Sequence, residues 1–217
     1  MKLIREGTFE TNSSSTHALV IPKVVSEEEY STYDSLDHNY EFGREECRLV
    51  NDWDEKLAYI YLILKEAVDR KLIITKDLDG FKETIKWLYT EVAKDRNESY
   101  RVTPKNIFDN IDKGSQVDEC AYSDYHYYPY VDHMEDLLNK EFINRLLNDI
   151  EFLKRFIFNR QSYITVGGDE YRGYNIKTIG FEEDYNYEYT EDCDVVGEFW
   201  DKLKEYKKEN DVYLKGN

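Results

Sequence analysis

Apolar positions follow two different periods along this chain, and the switches between them predict its elements. Leu57, Ile60, Tyr61, Leu64, Val68 and Leu72 recur every three or four residues, which is the spacing of one helical face. Asn51 or Asp52 stands before them as a cap, with Glu55 in the first turn. Phe81, Ile85, Leu88 and Val92 repeat the pattern in a second helix that starts at Asp79. The short link between the two predicts an antiparallel pair. Residues 105–112 predict a short helix. After a cap at Asp132, the stripe Leu138, Phe142, Leu146, Ile150, Leu153 and Ile157 predicts the longest one. Residues 195–208 predict the last.

Short apolar runs bounded by turn residues predict strands over 2–9, 18–21, 47–50, 100–103, 162–166 and 211–214. Pro22 closes the second and Pro104 the fourth. Gly167-Gly168 predicts a turn after 162–166, with the chain returning over 174–179 as a hairpin. Residues 26–43 and 114–131 are acidic, tyrosine-rich and without period, so they are expected on the surface. The mixture predicts an α+β fold over residues 1–217. A single compact domain would hold a small, mostly antiparallel sheet packed by amphipathic helices, with a helical lobe over 52–158.

Composition supports folding. Leu, Ile, Val and Phe total 55 of 217 residues, about a quarter, where disordered chains fall below about a fifth. No run of about 18 apolar residues occurs, so no membrane-spanning helix is expected. The opening Met1-Lys2-Leu3-Ile4-Arg5-Glu6-Gly7 has no apolar stretch of the secretory kind, so a cytoplasmic setting is expected. Cys47, Cys120 and Cys193 are sparse and odd in number, which fits buried thiols in a reducing compartment.

Charge changes the picture most. The chain has 46 acidic and 29 basic residues, net −17. Direct nucleic-acid binding needs a basic surface, so it is not expected. The acid is concentrated. Residues 181–201 hold nine carboxylates (Glu182, Glu183, Asp184, Glu188, Glu191, Asp192, Asp194, Glu198 and Asp201) and no basic group. Tyr185, Tyr187 and Tyr189 lie among them. A second block, 109–136, has eight carboxylates against Lys113 and carries Tyr125, Tyr127 and Tyr128. Like-charge blocks serve as solvated faces or as interaction surfaces. Tyrosine offers rigid amphipathic contact area. These tyrosines and carboxylates are the candidate partner-binding residues.

Ser13-Ser14-Ser15-Thr16-His17 is the candidate chemical string. Consecutive hydroxyls in a loop either bond its own backbone or bind a ligand. Ser13, Ser15 and His17 are the catalytic candidates there, because in a strand Ser15 and His17 share a face. Glu170 is the distant carboxylate. Asn12, Ser14, Thr16, Gly167, Gly168 and Asp169 are the ligand-binding candidates. Such a pocket would suit a nucleotide-type substrate, with ADP-ribosyl transfer as one chemistry, or it would sequester a small ligand unchanged. Arg5, Lys23, Arg160 or Arg172 would have to line it to hold a polyphosphate in so acidic a chain. No cofactor is expected, with a divalent cation at Asp169 and Glu170 as the alternative. His126, Asp132 and His133 lack the further ligands of a zinc site.

Phe9-Glu10-Thr11-Asn12-Ser13-Ser14-Ser15-Thr16-His17 resembles the opening of a group of phage and prophage proteins, and residues 162–170 resemble another segment of that group. The resemblance implies a mobile-element origin and a host cytoplasm, and brings no activity with it. Gly167-Gly168-Asp169-Glu170-Tyr171 resembles the signature of diguanylate cyclases, with Tyr in place of Phe. The upstream Phe-Lys-x-x-Asn-Asp segment of that family is missing, and Phe152-Leu153-Lys154-Arg155-Phe156 stands in the chain instead. The reading favoured by charge is an acidic phage-type accessory protein. It would bind and inhibit a basic host protein, such as a nucleic-acid-handling defence complex, in the manner of an anti-CRISPR or nucleic-acid mimic.

Overall fold

Helix α1 (Trp53–Asp69) is enclosed on every side, for each residue from Trp53 to Leu64 is buried. Its apolar surface is wider than the predicted stripe, because Ala58, Tyr59, Leu62 and Ile63 are apolar as well. A helix apolar almost all round belongs at the centre of a core. The computed structural model describes residues 15–32, 40–43, 48–94, 102–114, 129–131, 134–168 and 207–215.

Four strands form an antiparallel sheet in the order β3 (Arg48–Val50), β5 (Tyr163–Gly168), β1 (Ser15–Pro22), β6 (Asn210–Lys215). A short parallel pair joins β2 (Glu41–Phe42) to β4 (Tyr130–Val131). β1 is central, and both its faces are buried: Leu19 and Ile21 on one, Ala18 and Val20 on the other. Leu19 lies opposite Ile164 on one side and Tyr213 on the other, and α1 packs into the same apolar cluster. Helices α2 (Thr75–Ala93), α3 (Pro104–Lys113) and α4 (Lys140–Asn148) complete it. The fold is α+β, with a small and mostly antiparallel sheet packed by helices.

Several boundaries differ from expectation. The long helix predicted over 132–157 is broken into a 3-10 turn at Met134–Leu137, then α4, then α5 (Ile150–Leu153) running into a π turn at Lys154–Phe158. Two Asx residues break it. Asn139 accepts from the Phe142 amide at 2.8 Å and Asp149 from the Phe152 amide at 2.9 Å. Each side chain offers the backbone a cap in place of a helical continuation. The predicted cap Asp132 lies outside the described residues. Helix α2 begins at Thr75, four residues before the expected Asp79, since Asp77 accepts from the Ile74 amide at 2.9 Å and closes the first turn. Val102 and Thr103 are not a strand: Thr103 caps α3 and Pro104 opens it. The stretch 26–43 is not all surface, because Tyr30, Tyr40 and Phe42 are buried.

Candidate functional site

Antiparallel pairing of β1 with β5 brings together the two segments that carry the candidate chemistry. Ser15 stands opposite Gly168, Thr16 opposite Gly167 and His17 opposite Val166. Ser15, Thr16 and His17 therefore lie in a strand and not in a loop. Gly167 and Gly168 are paired strand residues and not a turn. The ladder explains this, since β1 between two neighbours satisfies more backbone groups by staying extended.

His17 points into the core. It is fully buried, and its Nδ1 lies 2.6 Å from the Tyr59 hydroxyl, with the two rings 5.6 Å apart. Burial pushes the Tyr59 phenol well up, so it stays protonated. His17 thus ties β1 to α1, and it is the only histidine among the described residues. Asn12, Ser13, Ser14, Asp169 and Glu170 lie outside the described residues. So do Tyr125, Tyr127, Tyr128 and all the carboxylates and tyrosines of 181–201. No group of three or more His, Cys, Asp or Glu side chains suited to a metal ion occurs among the described residues.

A second arrangement sits at the N-terminal end of α1. Lys56 is buried, and its Nζ donates to the carbonyls of Asn159 at 2.7 Å and Ser162 at 3.1 Å, and to the Ser162 hydroxyl at 2.9 Å. Burial lowers its pKa to about 7, against the raising influence of Asp52 and Asp54. Asp54, also buried, accepts from the Tyr40 hydroxyl at 3.4 Å. Beside Lys56 opens a cleft of about 130 Å³, lined by Ser31, Asn51, Asp52, Trp53, Ile157, Phe158, Asn159 and Arg160. The Arg160 guanidinium donates to the Ser31 hydroxyl at 2.9 Å. Two residues of the wall keep a buried donor without a hydrogen-bond partner, Trp53 at Nε1 and Asn159 at Nδ2. Leaving such a donor unsatisfied costs roughly 1–3 kcal/mol.

Of the cleft residues, only Arg160 was legible as a candidate. Lys56 carried a usable signal. It falls three residues after Trp53 and four before Ile60, at the spacing of an apolar stripe, where a lysine must be held by acceptors. Asn159 and Trp53 carried none, because their unpartnered donors arise from the packing of α1 against the turn after Phe158. No protein-family model, curated protein or solved structure matches the chain.

Proposed function

We propose that this chain is an acidic accessory protein of phage type that binds a basic host protein and blocks it. A nucleic-acid-handling defence complex is the class of target the charge fits. The observation that carries the reading is the stretch 181–201, with nine carboxylates, no Lys or Arg, and Tyr185, Tyr187 and Tyr189 interleaved. Such a surface is steered toward a groove that normally holds phosphates. The frame supports it. Gly168 and Asn210, which lie before and after the acidic stretch in the chain, pair with Ser15 and Pro22 at opposite ends of β1. Affinity capture from host lysate, followed by nucleic-acid displacement on the captured protein, tests it. A discrete basic partner should lose its nucleic acid to this chain. The effect should vanish when Glu182, Glu183, Asp184, Glu188, Glu191 and Asp192 become Gln or Asn. Inhibition that survives those changes, or direct binding of duplex DNA by the purified chain, defeats the reading.

The register of β1 with β5 favours a second reading, a ligand site where Ser15 meets Gly168. Such a site would act on a nucleotide-type substrate or hold a small ligand unchanged. His17 is committed to Tyr59, so Ser15 and Glu170 are the residues to change. Ser15→Ala and Glu170→Gln should abolish turnover in the first case. In the second, intact ligand should be recovered after heat denaturation. Neither turnover nor released ligand would end this reading.

A further inference from the structure

We propose that the exposed face of α2 is a dimer interface, on which a second copy of this chain docks antiparallel and seats its Trp87 over Gly80. The inference is independent of the acidic stretch and of the Ser15 site.

Trp87 marks the face. Helix α2 buries Leu78, Phe81, Ile85, Leu88 and Val92 against the core and leaves Trp87 52% exposed. Tryptophan is enriched at the energetic centres of protein interfaces, where a partner covers it. Gly80 supplies the room for one. It lies seven residues before Trp87, two turns of helix, so the two share a face about 10 Å apart. A Cβ at Gly80 would meet nothing within 4 Å, so the helix surface there is open to a partner.

The face is complementary to itself. In two antiparallel helices related by a twofold axis, residue i meets residue j and j meets i, and the two numbers have a constant sum. Setting Trp87 over Gly80 fixes that sum. The same register then places Lys76 opposite Glu91, once on each side of the axis. Both lie on the face of Gly80 and Trp87, Lys76 one turn before the glycine and Glu91 one turn after the indole. Lys76 is exposed and has no ion pair with a described residue. Glu91 holds Lys94 by one carboxylate oxygen and keeps the other for a partner's lysine. Glu83 flanks the axis, with Lys86 at 2.7 Å to meet its charge.

Charge selects the occupant. Residues 75–94 hold four lysines and four carboxylates, so this face is neutral in a chain of net −17. Two copies meeting here avoid the repulsion that acidic surface would impose. A strongly basic protein or a nucleic acid finds no excess charge to recognise on it, whereas a second copy brings the matching pattern.

Sedimentation equilibrium of the full chain, from micromolar to millimolar concentration, tests this. A monomer–dimer equilibrium is expected. Gly80→Gln fills the open space without touching its own chain, so its thermal midpoint should hold or rise, since glycine is a poor helix former. Its dimer dissociation constant should rise by about tenfold or more, as should that of Trp87→Ala. Lys76→Glu sets two carboxylates against each other and should weaken the dimer, and adding Glu91→Lys should restore it. A chain that stays monomeric throughout overturns the proposal, and so does a dimer that Gly80→Gln leaves intact. A double variant no tighter than Lys76→Glu alone contradicts the antiparallel register and overturns it as well.

Discussion

Lys56, in the first turn of α1, donates to the hydroxyl of Ser162 at 2.9 Å across 106 residues of chain. That hydroxyl also donates toward the carbonyls of Phe156 and Asn159, so one buried ammonium organises the exit from the π turn into β5. Helix α1 and the sheet are thereby locked in register at the point where the cleft opens.

Lys56→Met should destabilise the fold by about 2 kcal/mol, because the Ser162 carbonyl loses its ammonium donor and the Asn159 carbonyl keeps only the Ser162 amide and hydroxyl. Urea denaturation measures this. The wild type should also respond to pH. The folded pKa is about 7 against an ordinary 10.5, so between those values the unfolded chain binds more protons. Stability should therefore rise with pH, by about 2 kcal/mol from pH 7 to 9 for this group. The rise should be absent in Lys56→Met. Equal slopes in the two proteins would contradict the assignment.

Asp112 joins three helices by accepting from Lys65 at 2.9 Å, Lys82 at 3.0 Å and Tyr61 at 2.9 Å. Burial works to raise its carboxyl, but these hydrogen bonds outweigh that and hold it below the usual range. A depressed folded pKa gives stability that is present above the unfolded value and lost as pH falls through the folded one. Asp112→Asn should cost about 1 kcal/mol near neutrality, a figure reduced for its exposure to solvent. The variant should also lose less stability than the wild type on acidification below about pH 4. Parallel acid limbs in the two denaturation profiles would count against this clamp.

Lys71 holds a left-handed backbone, φ 60°, in the turn between α1 and α2. Its amide bonds to the Val68 carbonyl, and the Leu72 amide to that of Ala67. A side chain disfavours this conformation and glycine does not, so Lys71→Gly should stabilise by about 0.5–1 kcal/mol despite the added freedom of the unfolded chain. A lowered thermal midpoint would be the opposite result.

Asp149 caps α5 and sits 3.6 Å from Arg145, one turn back in α4. Asp149→Ala should cost about 1 kcal/mol, mostly from the cap. Asp149→Asn should recover most of it, because the amide oxygen caps equally well. If the two variants lose stability alike, the ion pair and not the cap is responsible.

The sequence by itself determined the α+β class, the helices around Leu57, Phe81 and Phe108, and the strands at 162–166 and 211–214. Each was written in local periodicity and capping residues. It also determined the concentration of acid in 181–201. Tertiary structure alone decided the rest. That Asn139 and Asp149 cap new helices, where the apolar stripe runs on unbroken, depended on side chains competing for backbone amides. That Gly167 and Gly168 extend a strand depended on β1 lying beside them, a pairing no local pattern encodes. His17 read as a polar residue suited to chemistry, yet it is buried, as is Lys56. Their partners, Tyr59 and Ser162, lie 42 and 106 residues away. A buried polar side chain is defined by the partner that satisfies it, and that partner is chosen only when distant segments pack.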